Sequence, residues 1–104
     1  MGIATDIEQK RREEARWRIL RVCDAGRPIG VSETIVWRVL SDVHLPLSVS
    51  ELRRELGYLH DLGLLEVEDE QADCWHLRLT AAGVDVVEYT AEAPRGVARP
   101  RRYR

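Results

Sequence analysis

The chain has 104 residues, 44% of them hydrophobic and 33% charged, with a formal net charge of −2. A chain of this size encloses one core, and no apolar run approaches the ~20 residues that span a bilayer, so a membrane-embedded protein is excluded. The opening MGIATDIEQKRREEARWRIL lacks the apolar stretch of a secretory signal, and Cys23 and Cys74 are too few for a disulfide framework, so a cytoplasmic location with reduced thiols is expected.

A first helix is predicted from about Thr5 to Asp24. Its apolar face carries Ala15, Ile19, Leu20, Val22 and Cys23, and Gly26 followed by Pro28 stops it. Trp17 falls on the opposite face among Lys10, Glu13, Glu14, Arg21 and Asp24, where it either lies flat over its neighbours or meets a partner. A second helix opens at Ser32, a good N-cap, and runs to about Val43, with Ile35, Val36, Val39, Leu40 and Val43 as its apolar stripe and Trp37 at the edge. His44-Leu45-Pro46-Leu47 breaks it.

The third helix, residues 48–62, has the clearest start: Ser48 and Glu51 have capping-box spacing, and Gly63 suits its end. Leu52, Leu56, Leu59 and Leu62 define a buried face, leaving Ser50, Arg54, Gly57 and Asp61 outward, flanked by Arg53 and Tyr58. The period then changes: LLEVE and CWHLRL alternate around an acidic turn, which predicts a β-hairpin. Trp75, Leu77 and Leu79 share its core face, and Cys74, His76 and Arg78 the other. Thr80 caps a last short helix, TAAGVDVVEYT, before Pro94.

The organisation is therefore a domain over residues 1–94 and a basic arm over 95–104. Charge divides the same way. Residues 1–94 carry eighteen acidic and eleven basic groups, a balance of −7, whereas RGVARPRRYR carries five arginines and no acid. Such an arm attracts polyanions.

The order helix, helix, helix, two-stranded hairpin, helix is a mainly α fold with a small β-hairpin. It resembles a winged helix-turn-helix, with residues 48–62 as recognition helix and the hairpin as wing. L-x-x-L-G-L-L-E-V-E from Leu59 to Glu68, followed by W-H-L-R-L-T-A-A-G from Trp75 to Gly83, is similar to the corresponding stretch of ArsR-like and MarR-like regulators. The whole layout, with its Pro- and Arg-containing tail, resembles small winged-helix proteins of Mu-like prophages. That resemblance implies a phage-encoded transcriptional regulator or accessory protein that binds double-stranded DNA.

On that reading the recognition helix enters the major groove. Arg53 and Arg54 would contact guanine or phosphate, Ser48 and Ser50 phosphate, Gly57 would allow close approach, and Tyr58 would touch the backbone edge. Arg95, Arg99, Arg101, Arg102 and Arg104 would follow phosphates or enter a minor groove. The bland alternatives are a solvated helix face and a solubilising tail. Against DNA stands the wing, where Glu66, Glu68, Asp69, Glu70 and Asp73 place five acids within eight residues. A protein-interaction adaptor or inhibitor on a winged-helix scaffold is the alternative.

Trp17 together with Val86, Val87 and Tyr89 of the last helix suggests a homodimer interface, which would double the recognition helix for a roughly palindromic site. Cys74-x-His76 offers two metal ligands where zinc needs three or four, and Cys23, His44 and His60 do not complete the set. No cofactor is expected. No phosphate-binding glycine loop, HExxH or nucleophile–base pattern points to an enzyme.

Overall fold

The computed structural model describes residues 2–102. Within them the elements run α1 (Ile3–Ala25), β1 (Val31–Ser32), α2 (Glu33–Asp42), α3 (Val49–Asp61), β2 (Leu65–Glu68), β3 (His76–Leu79) and α4 (Ala81–Val87). The protein is thus mainly helical with a small antiparallel sheet. None of these helices is long and apolar enough to cross a membrane.

α1 is the central element, packed against α2, α3, β3 and α4. Ala15, Ile19, Leu20 and Cys23 are fully buried on its predicted face. Because α4 and the C-terminal segment cover its other side, a second face is buried too. Trp17 is therefore not at the surface: it is 4% exposed, with Tyr89 edge-on at 6.3 Å between ring centroids. The sequence pattern assigned α1 one buried face, and a helix enclosed on several sides has more.

Ser32 caps α2 by accepting from the Ile35 amide at 3.3 Å, and Val36 and Leu40 are fully buried. Ile35, expected within the apolar stripe, is instead exposed. Trp37 lies at the edge and donates its indole N–H to the Leu47 carbonyl at 2.7 Å, which ties the interhelical turn to α2. The capping box of α3 forms in full: the Glu51 amide donates to Ser48 Oγ at 3.1 Å, and the Ser48 amide donates to Glu51 Oε1 at 2.8 Å. Leu52, Leu56 and Leu59 are buried as the spacing requires, but Leu62 is exposed at the C-cap. The helical period ends at Asp61, and Gly63, with φ of 78°, turns the chain so that Leu64 and Leu65 enter the core in its place.

β2 and β3 pair antiparallel, with Leu65 opposite Leu79 and Val67 opposite Leu77. β1 adds a third strand on the other edge of β3, with Val31 opposite Leu77, so the order is β1-β3-β2. Two residues carry no readable alternation, and this strand was not anticipated. Thr80 caps α4 by accepting from the Gly83 amide at 3.0 Å, while its hydroxyl donates to the Gly63 carbonyl at 2.6 Å. α4 is shorter than expected and ends at Val87.

One ion pair crosses the interior. Arg16 Nε donates to Glu55 Oε1 at 2.6 Å, with both side chains almost fully buried. A buried charge that loses its partner is strongly destabilising, whereas an apolar pair of similar volume is tolerated. Glu55→Ala is therefore expected to cost about 3–5 kcal/mol in urea unfolding, and Arg16→Met with Glu55→Leu to recover most of it. A single-variant loss under about 1 kcal/mol would show the pair to be dispensable.

Candidate nucleic-acid interface

α3 packs against α1 and β2 and leaves its outer face open. Ser50, Arg54 and Asp61 are exposed there and Gly57 is half-buried, as the spacing requires. A Cβ built on Gly57 would meet no neighbour, so the surface at this point is open. Arg54 makes no ion pair among the described residues. It borders two depressions. One, of about 180 Å³, lies between α1 and the α2–α3 turn and also includes Arg11, Arg12 and His44. The other, of about 660 Å³, is shallow and runs past Arg12, Gly57 and Tyr58.

Arg53, the second arginine of the predicted contact set, is engaged inside the protein. Its guanidinium donates to both carboxylate oxygens of Glu33, at 2.6 and 3.0 Å, and to the Asp73 carbonyl at 2.9 Å. It also lies 4.5 Å from the centre of the Trp75 ring. Glu33 in turn accepts from the Trp75 amide at 2.9 Å, so one carboxylate joins α2, α3 and the residue that leads into β3. The Arg53 hydrogen bond holds the Glu33 carboxyl below its ordinary value near 4.5, against the opposing effect of burial, and the same bond raises the Arg53 pKa. Ser48 is likewise committed to its cap, and its amide keeps the Glu51 carboxyl low.

The expected free arm is a strap. Val97 is buried in the core, the Ala98 amide donates to the Glu13 carbonyl at 3.1 Å, and the Tyr58 hydroxyl donates to the Arg95 carbonyl at 3.2 Å. Arg16 Nη1 donates to the Gly96 carbonyl at 3.0 Å and its guanidinium covers the Tyr58 ring at 3.8 Å. Gly96 is required at this point: its φ is 95°, and a Cβ would collide with the Tyr58 hydroxyl. Arg99 donates to the carbonyls of Val86, in the last turn of α4, and of Ala91 beyond it, at 2.9 and 2.8 Å. Tyr89 donates to the Pro100 carbonyl at 2.7 Å, beneath Arg99 and Arg102.

These contacts revise the candidate residues. Arg99 is half-buried and bonded, whereas Arg95 and Arg101 keep exposed side chains; Arg104 lies outside the described residues. Trp17, Val86 and Tyr89 do not form an open partner surface, because Trp17 and Val86 are buried and the strap covers Tyr89. The hairpin turn keeps its acids exposed, and among the described residues only Glu68 of them meets a cation, Arg78 at 3.5 Å. Cys23 is buried, which pushes its thiol up to about 12, while Cys74 is exposed beside Thr34. His76 is bonded to the Ile29 carbonyl at 2.7 Å.

No protein family, curated protein or solved structure matches this chain.

The Glu33–Arg53 clamp went unread because an acidic residue in the first turn of a helix is ordinary and nothing local joins it to position 53. Arg16 and Glu55 did carry a signal. Arg16 precedes Ile19, Leu20 and Cys23 at core spacing, and Glu55 stands between Leu52 and Leu59 in the same way.

Two outcomes follow. The Glu33 pKa is lower in the folded than in the unfolded chain, so its contribution is full above the ordinary value near 4.5 and is lost as pH falls through the folded value. Urea unfolding should show Glu33→Gln less stable than the parent at about pH 7, with the gap closing in acid; a gap independent of pH would remove the carboxylate from the explanation. A chain truncated after Pro94 should melt roughly 5–15 °C lower, for about 1–2 kcal/mol, because it loses the Val97 plug. An unchanged melting temperature would mean that the strap adds nothing.

Proposed function

We propose that this protein is a winged-helix domain that binds double-stranded DNA, with α3 in the major groove, as a phage-type transcriptional regulator or accessory protein. The observation that carries the reading is Arg54. It is an arginine without an ion-pair partner among the described residues, on the uncovered face of a capped helix, and it shares both neighbouring depressions with Arg12 of α1. The order of four helices and three strands, with β1 on the far edge of the hairpin, supports the winged-helix assignment.

The contact set is narrower than the sequence suggested. Arg54 and Ser50 face the groove, Gly57 permits close approach, and Arg12 and Arg95 flank them for phosphate. Arg53 acts at one remove, since its clamp on Glu33 fixes how α3 sits against α2 and the hairpin. A major-groove helix needs that rigidity, because a bidentate arginine contact tolerates little misplacement. The acidic hairpin turn stays away from phosphate on this reading.

That turn also favours a second reading, in which the domain is an adaptor or inhibitor and the exposed acids of residues 66–73 meet a basic protein surface. Fluorescence anisotropy with a mixed-sequence duplex, at low and moderate salt, separates the two. Arg54→Ala should weaken DNA binding about tenfold, in line with about 1–3 kcal/mol for a base contact. Arg95→Ala should lower the salt slope by about one phosphate contact. Absence of binding at low salt would reject the DNA reading and leave the acidic turn as the functional surface.

A further inference from the structure

α1 leaves two apolar features uncovered. At its start every residue from Gly2 to Glu8 is exposed, and Ile3 and Ile7, one helical turn apart, stand 78% and 46% exposed. At its other end a groove of about 460 Å³ opens between α1 and α2. Val22, Ala25, Val31, Ile35 and Val39 contribute its apolar surface, and Arg18 and Arg21 its rim. No carboxylate lines it, and Arg21 makes no ion pair among the described residues.

The two features lie on one side of the helix. At about 100° per residue, Ile3, Ile7, Arg18, Arg21, Val22 and Ala25 fall within an arc of about 100°. They also differ in charge: Asp6 and Glu8 accompany the isoleucines, whereas arginines border the groove.

We infer that the occupant of the groove is the first two turns of α1 from a second copy, so that two chains pair through antiparallel α1 helices. A twofold axis near Glu14 and Ala15 sets Ile7 of each copy level with Val22 of the other, and Ile3 level with the end of the groove. Asp6 then approaches the Arg21 rim, and Glu8 stands beside it while paired with Arg12 of its own helix at 3.1 Å. Near the axis the two Glu14 side chains come together, each already paired with Arg18 of its own helix at 3.7 Å. Parallel pairing fails on the same residues. It would stack Ile3 and Ile7 on their own copies and leave both grooves open. The contact uses neither the outer face of α3 nor the strap, and it meets the DNA reading only at Glu8, the ion-pair partner of Arg12.

The experiment is sedimentation equilibrium of the full chain without DNA, over the micromolar range. The expected mass is twice 12.0 kDa, and Ile7→Glu and Ile35→Glu, which alter exposed side chains on the two halves of the contact, should each return it to the single-chain value. Trp37→Ser, outside the groove, should leave the dimer intact. The register is read separately in a Cys74→Ser background. Ile7→Cys with Val22→Cys should give a covalent dimer on mild oxidation, and Ile7→Cys alone should not. A monomer at 100-fold above the lowest concentration, a dimer that survives both glutamate variants, or efficient cross-linking by Ile7→Cys alone would each overturn the inference.

Discussion

Arg16 is the residue on which the arrangement of this protein turns. A guanidinium cannot give up its proton at any ordinary pH, so once folding takes it out of water its charge and its donors must be met by protein groups. Glu55 on α3 meets the charge, the Gly96 carbonyl meets a second donor, and the Tyr58 ring covers the flat face. Those three partners lie on two different elements, α3 and the strap. Their common need for one cation sets the distance from α1 to each, and so sets the ridge on which Arg54 and Gly57 stand.

A second arginine repeats the device at the other side of α3. Arg53 links α2, α3 and the lead into β3 through Glu33, and Trp75 lies against its guanidinium. α3 is thus held on two sides, by Arg53 toward α2 and the hairpin and by Glu55 toward α1. The two neighbouring arginines of the sequence divide the labour: Arg53 supports the helix from within, while Arg54, unpaired among the described residues, faces outward. An electrostatic reading that counts both as surface charge overstates the positive potential of this face, and one that counts the strap arginines as a free arm overstates it again.

The elements themselves were legible from the sequence wherever a local rule governs them. Ser32, Ser48 and Thr80 are N-caps whose hydroxyl acts within three residues, and alternation in LLEVE and WHLRL marks two strands. What failed was non-local. Trp17 looks polar-facing until α4 and the strap arrive from more than sixty residues away. The two residues of β1 become a strand only because Leu77 and His76 offer an edge. Of the proposed interface, Ser50, Arg54 and Gly57 were visible because they oppose a leucine stripe, whereas the removal of Arg53, Arg99 and Tyr58 from the free surface depends on partners that helical spacing does not reveal.

The strap has a kinetic consequence. Small helical proteins fold fast because most of their contacts are local in sequence. Here the hydrogen bond from Arg16 to Gly96 joins positions 80 apart, and Ala98 reaches back to Glu13. Closing so long a loop costs entropy before any contact rewards it, so the strap is a late event and its bonds are little formed at the folding barrier. Interactions of that kind govern escape from the native state more than arrival at it. Val97 and Gly96 thus act as a clasp on a bundle already assembled, and the lifetime of the folded molecule rests on them more heavily than its rate of formation.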